Sequence, residues 1–185
     1  MPIKFVDKHL FNLQNKVLLD DGISSRVLAV PQNIGKNKRA FRLWRVLLDS
    51  GSDGDLLFVH KSSKNCIPFK ERFAPQKWHT SNGAFQTTKV GRLDVTFPEF
   101  SKSKVAHIRP DIVEIPAELG KPVYDLIIGV ETMAKMGIVL DFANKEITID
   151  QIKHQMKALI DHKDSKALHN FSREITEPAS TAAET

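Results

Sequence analysis

Val46-Leu47-Leu48-Asp49-Ser50-Gly51-Ser52 brings three apolar side chains up to a carboxylate and then turns sharply. An apolar run of this kind, closed by Ser and Gly, reads as a buried strand ending in a tight loop, with Gly51 allowing close backbone approach. The Gly51 amide and the hydroxyls of Ser50 and Ser52 are within reach of an ionised Asp49. A second reading competes at the same residues. Asp49, Asp53, Gly54 and Asp55 fall on positions 1, 5, 6 and 7 of an EF-hand loop. Position 3 is then Gly51, which has no side-chain ligand, and position 12 is His60 where a bidentate Glu is needed. The flanks also read as strands rather than helices, so calcium is not expected.

Outward from this loop the chain reads as many short strands. Arg26 to Val30 and Phe41 to Leu48 are strands joined by the turn-rich Pro31 to Lys38, and Leu56 to His60 resumes extended character. The stretch through Pro75 reads as irregular. Trp78 to Thr88 forms a hairpin around Ser81-Asn82-Gly83. Leu93 to Phe97, Val105 to Ile108, Asp111 to Ile115 and Tyr124 to Ile128 follow as strands. Val130 to Met136 has helical composition stopped by Gly137, and Ile138 to Phe142 with Glu146 to Ile149 closes in a hairpin. Turns this frequent with a single late helix predict an all-β barrel or sandwich. Beyond Gln151, Ile152, Met156 and Leu159 are spaced for one helical face, and Glu177 to Thr185 has the composition of a disordered tail. The expected organisation is an extension over 1–25, one domain over 26–150 and a helical or disordered linker over 151–185.

Composition narrows the classes. The 185 residues are 41% hydrophobic and 26% charged, the pattern of an ordinary globular chain, and 11 Phe against one Tyr and two Trp predict a core rich in phenyl rings. No run approaches the roughly 18 apolar residues that a membrane span needs, and the start MPIKFVDKHLF does not read as a secretory signal. One cysteine, Cys66, excludes an internal disulfide and any multi-cysteine zinc site, and fits a reducing, intracellular setting. It reads as a small buried hydrophobe. His60, His79, His107, His154, His162 and His169 show no metal-ligand spacing, and neither a G-x-S-x-G elbow nor a phosphate-binding glycine loop occurs. No metal or cofactor is expected. The net charge of +5 and the run Lys36, Lys38, Arg39, Arg42, Arg45 admit a basic nucleic-acid-binding β domain, but a solvated turn followed by the polar face of a strand explains them better, since the surroundings read as a hairpin.

Three segments, in order, resemble the retropepsin-like aspartic proteases of gypsy-type LTR retrotransposon polyproteins. Val46 to Ser52 is similar to their D-[ST]-G-[AS] loop, Trp78 to Thr88 (WHTSNGAFQTT) to their flap, and Tyr124 to Phe142 (YDLIIGVETMAKMGIVLDF) to their apolar-apolar-Gly segment with its helix and closing strand. The resemblance covers about Arg26 to Asp150. It implies a closed β-barrel with one short C-terminal helix, one lobe per chain, and cleavage of peptide bonds in a polyprotein. This sequence holds one D-[ST]-G, so the carboxylate pair of the class requires Asp49 from each of two copies, and the implied active species is a homodimer. By the same resemblance Asp49 is the acid and base, Ser50 locks the two loops, and Gly51 and Asp53 bind substrate main chain. Ser81, Asn82, Gly83 and Ala84 form the flap tip over an extended peptide. Membrane and direct nucleic-acid contacts are not implied. Relatives often carry an Arg after the Gly of the third segment, paired to the acid near Asp53. Here Val130 and Glu131 follow Gly129, so Arg45 or Arg109 must serve instead or Asp53 must face solvent. The departure keeps open a catalytically weak module that only dimerises and holds peptide.

Overall fold

The computed structural model describes residues 23–32, 43–61, 67–81, 83–119 and 122–158. The expected extension up to residue 22, Cys66, Asn82, His162, His169 and the tail from residue 159 lie outside the described residues. Within them the chain is mostly β with one helix. Its strands are β1 (Ile23–Ser24), β2 (Arg26–Pro31), β3 (Trp44–Leu48), β4 (Leu56–His60), β5 (Phe69–Thr80), β6 (Gly83–Gly91) and β7 (Leu93–Thr96). They continue as β8 (Val105–Ile108), β9 (Asp111–Ile115), β10 (Leu126–Ile128), β11 (Val139–Asp141), β12 (Glu146–Ile149), β13 (Ile152–Gln155) and β14 (Lys157–Ala158). The helix α1 spans Val130–Lys135. None of the described helices is long and apolar enough to cross a membrane.

The main sheet has nine strands in the order β5-β6-β9-β4-β10-β3-β2-β7-β8, beside a three-stranded sheet β11-β12-β13 and the pair β1-β14. The closed barrel expected from the sequence is not what these pairings form, because no ladder joins β5 to β8 among the described residues. Two features open the sheet. The β5–β6 hairpin holds to β9 through the single bridge Val90↔Asp111 and then runs free of it. At the other side β2 pairs with β3 over Arg26 to Ala29 and turns to β7 at Val30 and Pro31.

Alternation builds the core. Trp44, Val46 and Leu48 of β3 are buried with Val27 and Ala29 of β2, Leu93 and Val95 of β7, and Leu126 and Ile128 of β10. Each such aliphatic side chain contributes about 1.5–3 kcal/mol by leaving water. Met133 of α1 and Ile147 and Ile149 of β12 close the same cluster. Among the described residues the expected phenyl-rich core is not found: Phe97 and Phe100 are buried, whereas Phe69, Phe73 and Phe142 are exposed and the core is chiefly aliphatic.

Two local expectations are also corrected. Of the stretch through Pro75, the part from Phe69 onward is not irregular but the first half of β5, whose register with β6 shifts between Glu71 and Gln76. The helix predicted from Ile152, Met156 and Leu159 is not formed over its described part, where Ile152–Gln155 is strand β13 antiparallel to β12. Asp150 (φ 53°) and Gln151 (φ 68°) make a two-residue turn of the kind that matches hairpin twist, and Ile149 then faces Ile152. Met156 is buried in the core cluster, and strand pairing therefore runs on past Gln151. Gly137 (φ 63°) ends the helix as predicted, two residues after Lys135.

Candidate active site

β10 lies between β3, to which it is parallel, and β4, to which it is antiparallel. The chain leaving β3 must therefore cross the end of β10 before entering β4, and the crossing segment is the loop from Asp49 to Asp55. The stretch after β10 holds this loop by main-chain hydrogen bonds. The Asp49 N–H donates to the Ile128 carbonyl at 2.9 Å, and the Val130 N–H donates to the Ser52 carbonyl at 2.8 Å. Gly129 sits so tightly beneath the loop that a Cβ there would lie 2.5 Å from the Gly54 oxygen and 2.6 Å from that of Ser52.

Within the loop the Gly51 N–H donates to Asp49 Oδ1 at 2.9 Å, and the Ser52 N–H donates to the Asp49 carbonyl at 3.1 Å. The Ser52 hydroxyl donates to the Gly54 carbonyl at 2.7 Å. Asp49 is half-buried, its carboxylate fixed by an amide of its own loop at the end of a buried strand. Strand β3 is itself braced from behind, since the Ser25 hydroxyl donates to the Leu48 carbonyl at 2.7 Å.

A cleft of about 1320 Å³ opens beside the loop, with Asp49, Gly51, Asp53, Trp78, Ser81 and Ile127 in its walls. The β5–β6 hairpin forms its far side. The residues singled out from the sequence divide accordingly. Asp49, Gly51, Asp53 and Ser81 face this one cleft, whereas Ser50, Gly83 and Ala84 are exposed outside its lining. Asn82 lies outside the described residues.

The question raised by Val130 also has a structural answer. Asp53 is exposed, and Arg45 is engaged elsewhere, its Nη2 on the Pro122 carbonyl at 2.7 Å and its Nε 3.6 Å from Asp125. The buried acid of the loop is Asp55, 8% exposed. Its Oδ1 accepts the Gly129 N–H at 2.8 Å and its Oδ2 accepts the Thr132 hydroxyl at 2.6 Å. Burial raises its pKa above the ordinary 3.8, opposed by these two hydrogen bonds. The sequence pattern marks Asp55 only as a calcium-loop position. An acid directly ahead of the apolar run Leu56–Leu57 was the available signal that it points inward.

A further network has no signature in the sequence pattern. Arg72 of β5 grips Asp111 of β9 in bidentate fashion, Nε to Oδ1 at 2.7 Å and Nη2 to Oδ2 at 2.8 Å. The Thr87 hydroxyl donates to Asp111 Oδ1 at 2.8 Å, and the Trp78 indole N–H donates to Thr87 Oγ1 at 3.0 Å. Trp78 also stacks on Phe85 across the hairpin, centroids 6.2 Å apart. The hairpin is thereby tied to the sheet by a part-buried polar chain as well as by its one ladder bridge to β9.

No family model matches the chain, and no curated protein matches it. Among solved structures it is similar to the retroviral protease-like domain of Ddi1 from Leishmania major, at 12% identity and a TM-score of 0.42, over 73% of this chain and 92% of that one.

Proposed function

We propose that the chain is an aspartic-type endopeptidase of the retropepsin-like kind, active as a homodimer on an extended peptide or polyprotein. The observation that carries this reading is the placement of Asp49: at the end of a buried strand, its carboxylate held by the Gly51 amide, in the wall of a cleft faced by a long hairpin. One carboxylate cannot perform both proton transfers of metal-free peptide hydrolysis. Two carboxylates about 3 Å apart share a single proton, because both cannot ionise at that distance.

In this mechanism the ionised Asp49 takes a proton from water as the water attacks the scissile carbonyl. The protonated Asp49 of a second copy donates to the carbonyl oxygen. The tetrahedral intermediate then collapses as a proton passes to the leaving amine. The exposed Ser50 locks the two loops across a two-fold axis. Gly51 and Asp53 hold substrate main chain from below, while Ser81, Asn82, Gly83 and Ala84 close over it from the hairpin side. The peptide binds as an added strand. The three sequence segments point to a gypsy-type LTR retrotransposon polyprotein as substrate and source, cut in the cytoplasm or within the element's particle.

The test is Asp49→Asn in the full chain, assayed on a mixed peptide library. The substitution keeps the shape of the side chain and removes its proton chemistry. Cleavage by the wild type and loss of at least a hundredfold in the variant, with an unchanged circular dichroism spectrum, are expected for a general acid–base residue (about 10²–10⁴-fold). Equal cleavage by both chains would refute the proposal.

A further inference from the structure

We propose that Asp55 is the positioning residue of this site, holding the Asp49 loop to the start of α1 through Gly129 and Thr132. The inference rests on the reading of Asp49 as the catalytic acid. Residues 128–130 grip the loop at three points. The Ile128 carbonyl accepts from Asp49, the Val130 N–H donates to Ser52, and the Gly129 N–H donates to the Asp55 carboxyl. The first two contacts are main chain to main chain and tolerate many side chains. The third depends on what stands at position 55. The Asp55 main chain is fixed as well, its carbonyl accepting the Asp111 N–H at 2.9 Å. Its side chain is thus a strut between a fixed strand entry and the first turn of the helix.

The chemistry of the strut follows from its surroundings. The charged groups near Asp55 are Glu131 and Lys135 of α1, bonded to each other at 2.7 Å, Asp49 and Asp53 of its own loop, and Asp111 of β9, which is held by Arg72 of β5. The side-chain bonds drawn to Asp55 come from an amide and a hydroxyl rather than a cation. The carboxyl accepts from both partners, and because the Thr132 hydroxyl can also accept, a group with one acceptor and one donor fits as well. A carboxamide at the same position is such a group. Burial raises the pKa of the group, and the hydrogen bonds from Thr132 and Gly129 oppose that rise. Asn therefore replaces Asp55 in this role, and Ala does not.

The experiment compares full-length wild type, Asp55→Ala, Asp55→Asn and Thr132→Val by steady-state peptide cleavage, with amide hydrogen exchange at Asp49 and Val130 read alongside. Asp55→Ala is expected to lower kcat about a hundredfold with KM little changed, since a loosened loop misplaces the reacting carboxylate. Asp55→Asn is expected to restore kcat to within about threefold of wild type. Wild-type kcat in the Ala variant, or equal damage by Ala and Asn, overturns the proposal. Should the Ala variant not fold, Thr132→Val decides: it keeps the side-chain shape and loses one bond, so kcat falls about tenfold, and an unchanged kcat overturns the proposal. A wild type that cleaves no peptide refutes the reading of Asp49 instead. Exchange then tests the strut alone, with faster exchange at Val130 in the Ala and Val variants but not in Asn supporting it, and no change refuting it.

Discussion

The Trp78 indole rests on Gly54, so closely that a Cβ on Gly54 would stand 2.9 Å from Cη2 of the ring. This contact joins the hairpin on one side of the cleft to the loop on the other, five residues beyond Asp49. The ring is held in place by its N–H bond to Thr87 and by Phe85, so the space above Gly54 has a fixed wall. An absent side chain on the loop and a large one on the hairpin thereby set the width of the cleft together.

Gly54→Ala follows from that contact. The added methyl meets the far end of a side chain, which yields more readily than backbone, so the expected loss of stability is about 1 kcal/mol. The change falls on the hairpin rather than the core. Denaturant unfolding gives the first quantity, and a shift in tryptophan emission reports the displaced ring.

Gly129→Ala is a harsher change at a similar distance. Its methyl meets the carbonyl oxygens of Gly54 and Ser52 at 2.5 and 2.6 Å, and backbone bonded on both sides cannot step aside. A loss of about 3 kcal/mol, or failure to fold, is expected. Wild-type stability in this variant would mean that the loop does not lie on Gly129.

The polar chain behind the hairpin gives a graded pair. Asp111→Ala leaves Arg72 without its bidentate partner and Thr87 without an acceptor, a loss of about 3 kcal/mol. Thr87→Val removes two hydrogen bonds, the one to Asp111 and the one from Trp78, but leaves the Arg72–Asp111 pair intact, and costs about 2 kcal/mol. Chemical denaturation ranks the two, and the Asp111 variant should be clearly the worse.

The pH dependence of stability carries the mark of Asp55. Its folded pKa lies above 3.8, so between these values the folded chain keeps a proton that the unfolded chain has released. Stability therefore falls as pH rises from about 3.8 to the raised pKa, and this contribution is level above it. Glu114, Glu131 and Asp141 titrate below their ordinary values, through hydrogen bonds from Lys89, Lys135 and Asn144, and act in the opposite sense. Their contributions are lost as pH falls through the lowered values, and solvent screens all three. Asp55→Asn removes the first effect and keeps the others. The difference in unfolding free energy between Asn variant and wild type should thus move toward the variant from about pH 4 upward, and a flat difference contradicts the placement of Asp55.

Much of the site was legible because it is local. Three apolar residues before Asp49, with Ser and Gly after it, specify a buried strand running into a tight loop, and the loop is found there. The helix stop at Gly137 and the turn between β5 and β6 were legible for the same reason. What escaped depends on distant partners. Asp53 and Asp55 look alike in sequence, and which one turns inward is decided by the Gly129 N–H 74 residues away. The Trp78 contact with Gly54 and the Arg72–Asp111 pair likewise join segments with no shared pattern. The helix expected after Ile152 failed on a different ground. Spacing of four between Ile152 and Met156 suits a helical face, but the positive φ at Asp150 and Gln151 returns the chain along β12. Strand pairing then overrides periodicity.

The proposed pairing of Asp49 with its copy in a second chain is tested by subunit mixing. Wild type and Asp49→Asn chains are combined in equal amounts at constant total concentration, exchanged to equilibrium, and assayed for peptide cleavage. Random pairing leaves about one quarter of the dimers with both carboxylates, so activity should fall to about a quarter of that of wild type alone. Activity at one half would mean that each chain cleaves by itself, and would contradict the shared dyad.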